Sequence, residues 1–272
     1  MLVIRDAQMS IFRSESKLRL EQDLVYHFLR TYPRECRQAG GEAQIAKVVS
    51  AGMDKAEEFG FKGRAELSLF IALGFILGCD FYRDPQIPWA AEILNDRRKI
   101  RNASLRINAV YDQMLEYLGA TAGENALPVV KALIRLRDWD INTAPVVGAS
   151  WEDEMLALFQ RLYPQKTEHQ GEEANRFLLH DALAKCDMTY EIRSRQGKAL
   201  MAILMFMLGS GFDHDHLHPW AARILKSPQY AKSEAERIAA LYKASFDHLQ
   251  QSLTSDELKE AVREQEQEES AE

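Results

Sequence analysis

Residues 211–220, GFDHDHLHPW, hold the densest set of side chains in this sequence that could do chemistry. Asp213, His214, Asp215, His216 and His218 all fall within six positions. Alternate histidines in an extended loop can point to one side, and a neutral imidazole is a good ligand for zinc or nickel. A structural metal site wants four ligands fixed in space. The residues leave two readings: solvated loop histidines, or a metal centre at His214, His216 and His218. No GxSxG, GxGxxG, P-loop or HExxH motif occurs, so the sequence offers no catalytic residue and implies no cofactor.

The elements that must position these residues emerge from an internal comparison. LGCDFYRDPQIPWAAEIL (77–94) and LGSGFDHDHLHPWAARIL (208–225) are identical at 10 of 18 positions, at an offset of 131. Chance alone would give about one. The offset persists without a gap upstream (Phe28/Phe159, Tyr32-Pro33/Tyr163-Pro164) and downstream (Arg106/Arg237, Tyr111/Tyr242, Leu118/Leu249). The expected organisation is a tandem duplication of a helical module of about 100 residues, an ordinary domain size. Module 1 covers 1–122, a linker with one helix 123–149, module 2 150–253, and an acidic, helix-prone tail 254–272.

Each copy reads as all-α, about five helices around one apolar central helix. Leu20, Leu24 and Phe28 share a helix face, and Pro33 ends that segment. A second helix starts near Glu42 and stops at Gly60, and the third, nearly all apolar, runs from Arg64 to Leu77. Its lack of a polar face predicts the surrounded position. A short helix starts at Pro88 and a fifth runs from about Asn102 to Leu118. Ser150-x-x-Asp153 and Ser233-x-x-Glu236 read as capping boxes in the second copy. Thr254-x-x-Glu257 reads as a start signal for the tail.

The shared pattern has a structural reading throughout. Gly78 and Gly209 end the apolar helices in a left-handed conformation. Phe81 and Phe212 tuck under the helix ends, and Asp84 and Asp215 accept bonds from backbone donors in the turn. Pro88 and Pro219 start the short helices, while Trp89 and Trp220 anchor them. The functional alternative, a reactive loop built on Asp84 and Asp215, lacks a partner base or nucleophile. The positions matching His214, His216 and His218 are Arg83, Pro85 and Ile87, so the repeated turn does not depend on histidine. Arg97, Arg98, Lys99 and Arg101 form an exposed basic run that can contact a partner. Glu152, Asp153 and Glu154 suit the first turn of a helix, where the dipole favours them. Met201, Met205 and Met207 read as core filler.

Composition narrows the function classes. Hydrophobic residues make up 46% and charged residues 28%, a globular balance. The net charge is -7, and residues 254–272 contribute -6 of it, leaving about -1 for the rest. Such a near-neutral body gives no support for nucleic-acid binding. The longest apolar runs fall short of the roughly 20 residues that span a bilayer, so no membrane insertion is expected. Cys36, Cys79 and Cys186 are odd in number and widely spaced, which predicts reduced thiols in a cytoplasmic protein rather than a disulfide framework.

The opening MLVIRDAQM and the segment carrying Gly78, Asp80, Phe81, Asp84, Pro85, Pro88, Trp89, Ala90, Ile93 and Leu94 resemble a group of small all-helical bacterial proteins associated with type VI secretion effector cassettes. The second copy departs from that pattern at Gly211 and His216. The resemblance implies a cytoplasmic, non-enzymatic accessory of effector loading, a chaperone or co-adaptor that binds an effector, toxin or spike component. Toxin immunity is the alternative role, and it carries over no catalytic residue. Apart from the resemblance, a helical sensor of a metal or of a small apolar ligand held between helices remains open.

Overall fold

The computed structural model describes residues 6–251 except 124 and 231. The expected tail helix at 254–272 lies outside the described residues. Twelve α-helices, and no strand, occur among those described. They are α1 (Asp6–Thr31), α2 (Pro33–Ala39), α3 (Glu42–Glu58), α4 (Arg64–Leu77), α5 (Pro88–Asn95), α6 (Ala103–Thr121), α7 (Leu127–Arg137), α8 (Trp151–Leu162), α9 (Pro164–Lys185), α10 (Arg195–Leu208), α11 (Pro219–Leu225) and α12 (Glu234–Gln251). No helix among the described residues is long and apolar enough to cross a membrane.

Local chemistry explains most boundaries. Asn102 caps α6 by accepting from the Leu105 amide, and Ser194 caps α10 by accepting from Gly197. Glu66 reaches back from the third position of α4 to the Gly63 amide at 3.1 Å. Pro33 ends α1 but also opens α2, a helix that the periodicity does not announce, because proline suits the first helical position. Ser150 does not cap α8; its hydroxyl instead donates to Glu154 at 2.6 Å. Ser233 does accept from the Glu236 amide at 3.2 Å. α9 is broken at Gly171 by a left-handed φ of 79°, and one π-helical turn, Cys186–Tyr190, follows it.

Apolar burial forms two main clusters. One is built by α1 to α6 around Phe28, Phe70, Leu73 and Phe81. The other is built by α8 to α12 around Trp151, Phe159, Leu204 and Phe206. Positions 131 apart pack alike: Phe28 stacks on Phe75 at 4.7 Å and 7°, and Phe159 on Phe206 at 4.2 Å and 5°. α10 is the surrounded helix that its composition predicts, with every residue from Ala199 to Phe206 buried. α4 differs, since its Ile76 is 40% exposed. The stretch between the two sets of helices is packed rather than free. Ala132, Leu136, Trp139 and Ala144 are buried in the second cluster, and Tyr242 donates to the Trp139 carbonyl at 2.8 Å.

Candidate functional site at the seam between the two halves

α4 and α10 end face to face. Gly78 and Gly209 have nearly the same backbone angles, φ 94° and 95° with ψ 154°. This is not the left-handed helical cap expected from the sequence. It is a positive-φ extended conformation that is nearly confined to glycine. Space imposes the same choice. A Cβ on Gly78 would lie 3.0 Å from the Leu208 carbonyl oxygen, and one on Gly209 would lie 3.0 Å from that of Leu77.

The turns that follow exchange their aspartates. Asp84 Oδ1 accepts from the Gln86 amide within its own turn at 2.9 Å, and its Oδ2 accepts from the Ser210 amide across the seam at 2.6 Å. Asp215 does the same in reverse, with Oδ1 on the Leu217 amide at 2.8 Å and Oδ2 on the Cys79 amide at 3.0 Å. Burial pushes both carboxyls up, and the backbone donors oppose that push. The residues two places on also cross over. Gln86 donates to the Met205 carbonyl at 2.9 Å, and Leu217 joins the buried cluster of the first half. The other motif residues serve the turn itself. Phe81 and Phe212 are buried, Pro88 and Pro219 open α5 and α11, and Trp89 and Trp220 are half-buried beside Tyr117 and Phe212.

The three histidines do not form one centre, and they are not simply solvated. His214 stands between two buried carboxylates, with Nε2 3.2 Å from Asp80 and Nδ1 3.2 Å from Asp213. Asp213 and then Asp80 raise its pKa to about 9. Burial alone would raise Asp80 and Asp213. Burial is the largest single influence, but the bonds and charges of His214 and Arg83 at Asp80, and of His214, Lys185 and Tyr190 at Asp213, together outweigh it. They hold both well below the usual carboxylate range. Asp80 also accepts from Tyr82 at 2.9 Å and Arg83 at 2.5 Å, and Asp213 from Lys185 at 2.8 Å and Tyr190 at 2.6 Å. His216 offers its carbonyl to Gln44 at 2.9 Å. His218 turns inward, its ring 4.9 Å from that of His248, and its Nδ1 finds no partner among the described residues. Burial lowers its pKa to about 4.

Two cavities border the seam. One, of about 240 Å³, is lined by Gly78, Asp84, Lys166, Gly209, Asp215 and His218 among others. Lys166 is buried there, donates to the Phe206 carbonyl, and is lowered to about 8 by burial, with Asp84 partly offsetting this. The other, of about 210 Å³, is lined by Cys79, Asp80, Tyr82, Arg83 and His214. Cys79, Asp80 and His214 are the one group of three candidate metal ligands among the described residues, their ligand atoms lying within 4.8 Å of one another. Two of these three are outside the histidine loop. All three cysteines are free thiols; Cys36 and Cys186 are buried and Cys79 is partly so.

The remaining candidates lie away from the seam's chemistry. Arg97, Arg98, Lys99 and Arg101 are exposed, with Arg97 donating to the Glu58 carbonyl at 2.9 Å and Lys99 3.4 Å from Asp96. Arg176 bridges Glu152 at 2.9 Å, Asp153 at 2.6 Å and Glu172 at 2.8 Å. Met201 and Met205 are buried, and Met207 packs partly buried against the same cluster. The sequence gives no signal for Lys166 or Lys185, or for the pairing of Asp80 with His214, because each of these contacts joins residues far apart along the chain. Comparison with known protein families, curated proteins and solved structures finds no match.

Proposed function

We propose that this chain is a non-enzymatic, protein-binding scaffold made of two diverged copies of one helical module. The observation that carries this reading is the use of the repeated aspartates. Asp84 and Asp215 spend their oxygens on backbone amides on both sides of the seam. The shared motif therefore serves assembly. Matching helix bounds in α4 and α10, and the matching Phe28–Phe75 and Phe159–Phe206 stacks, support duplication as the origin of the two halves.

Surface features supply what a partner would meet. Phe177 is 58% exposed and shares a shallow groove with Arg83, Pro85, Asp181 and Lys185. An exposed aromatic ringed by both signs of charge suits a protein partner. Taken with the resemblance at the first motif, the proposed partner is a type VI secretion effector, and the role that of a cytoplasmic chaperone or co-adaptor.

Co-expression with the proteins encoded beside its gene tests this. The expected result is a stoichiometric complex with an effector, toxin or spike component that survives size exclusion and is weakened by Phe177→Ser. Failure to co-purify with any of them overturns the reading. Rescue of growth from a co-expressed toxin, without any effect on delivery, would assign immunity instead.

A further inference from the structure

We propose that Cys79, Asp80 and His214 form a divalent metal site of the zinc type, which ties the first half of the chain to the second. The three ligand atoms lie within 4.8 Å of one another, on residues drawn from both sides of the seam. Sulfur, nitrogen and oxygen donors together suit zinc, which accepts thiolate, imidazole and carboxylate.

The geometry is already close. His214 Nε2 and an Asp80 oxygen stand 3.2 Å apart. Two ligands at zinc bond lengths and that separation subtend roughly 100° at the metal, near the tetrahedral value. The ion would take the place of the proton shared between Nε2 and the carboxylate. The other ring nitrogen is held by Asp213 at 3.2 Å. A carboxylate on the far nitrogen is the arrangement that fixes the tautomer of metal-bound histidines. Tyr82 holds one Asp80 oxygen at 2.9 Å, while the oxygen facing His214 is the one that Arg83 shares. The Arg83 side chain is 62% exposed, so it can swing away as the cation enters. Cys79 Sγ donates to the Gly211 carbonyl at 3.6 Å and lies within hydrogen-bonding reach of Asp215. Burial and the neighbouring aspartates push its thiol up, so the cation has to supply the charge that stabilises the thiolate. The cavity of about 210 Å³ gives access and room for a fourth ligand such as water. On binding, His214 Nε2 and the Cys79 thiol each release a proton to solvent, leaving a neutral imidazole and a thiolate as ligands. His216 and His218 take no part.

The test uses the full chain, stripped with chelator, and zinc(II) or cobalt(II) alone. One equivalent should bind. The cobalt form should show a thiolate charge-transfer band that Cys79→Ser abolishes. His214→Gln should weaken binding at least about tenfold, and Asp213→Asn, which touches only the far ring nitrogen among these groups, about 10–100-fold. His216→Gln should bind as the parent does. A readout needing no variant is alkylation of the parent protein, in which zinc should shield Cys79 while Cys36 and Cys186 serve as internal references. No stoichiometric binding, equal Cys79 alkylation with and without zinc, or loss of binding in His216→Gln would each overturn the site.

Discussion

Asp84 and Asp215 hold each other's loops: the first accepts from the Ser210 amide at 2.6 Å, and the second from the Cys79 amide at 3.0 Å. Each also satisfies an amide in its own turn. Asp84→Ala therefore strands two amides, and so does Asp215→Ala. Stranding buried donors costs about 1–3 kcal/mol each when water cannot reach them. Each variant should lose about 2–4 kcal/mol in urea denaturation, and the double variant less than the sum, because both open the same seam. Losses below about 0.5 kcal/mol would mean that the exchange does not hold the halves together.

Gly78→Ala and Gly209→Ala should each destabilise by about 2 kcal/mol or more, from backbone strain and from the carbonyl 3.0 Å from the new methyl group. Gly119→Ala is the control. It lies in α6 with no atom within 4 Å of its Cβ position, and should be neutral or stabilising by up to about 1 kcal/mol. Thermal melts of the three variants compare them directly; equal effects would remove the case for close approach.

Acid should weaken the fold through His218 and His248. Burial lowers both to about 4, whereas an unfolded histidine titrates near 6.5. Between these values the unfolded chain binds more protons, so stability falls as pH falls. The contribution of these two histidines should be steady above about pH 7 and decline towards pH 4, by at most about 1.4 kcal/mol per pH unit per histidine. That of His214, raised to about 9, is instead lost as pH rises from about 6.5 through 9. Replacing both with Phe should flatten that part of the curve. An unchanged slope would place the acid sensitivity elsewhere.

Arg34 and Gln38 on α2 both donate to the Gln251 carbonyl at the end of α12, at 2.8 and 2.9 Å. Removing both with alanine should speed amide exchange in the last turn of α12. Global stability should fall by about 1 kcal/mol or less, since these bonds are exposed. Unaltered exchange would show that other contacts hold that turn.

Legibility in the sequence followed distance along the chain. The bounds of α4, from Arg64 to Leu77, were readable because an unbroken apolar run ends at Gly78. Pro33 was readable as a stop but not as a start, because proline suits both sides of a helix boundary. Ser150 carried a capping signal that its backbone, at φ −96° and ψ −1°, does not let it use. The repeated turn exposed the in-turn roles of Asp84 and Asp215 but not their outer bonds, which cross 126 and 136 residues. The pairing of His214 with Asp80 is hidden for the same reason. The histidine's ion partner Asp80 packs against Gly211, where only glycine fits, since a Cβ there would lie 2.8 Å from Asp80. Periodicity reports which face is buried, not which distant charge is buried beside it.

The crossed turns also set a clock on synthesis. The Cys79 amide emerges 136 residues before the carboxylate that will receive it. At roughly 5–20 residues per second, that is a wait of about 7 to 27 seconds. During it, the first core can pack around Phe28 and Phe75, but its turn stays open at Gly78, and the place that Leu217 will fill is vacant. Closing the first turn thus joins early chain to late chain, and a pulse of protease during translation should find that turn cleavable until residue 217 has arrived.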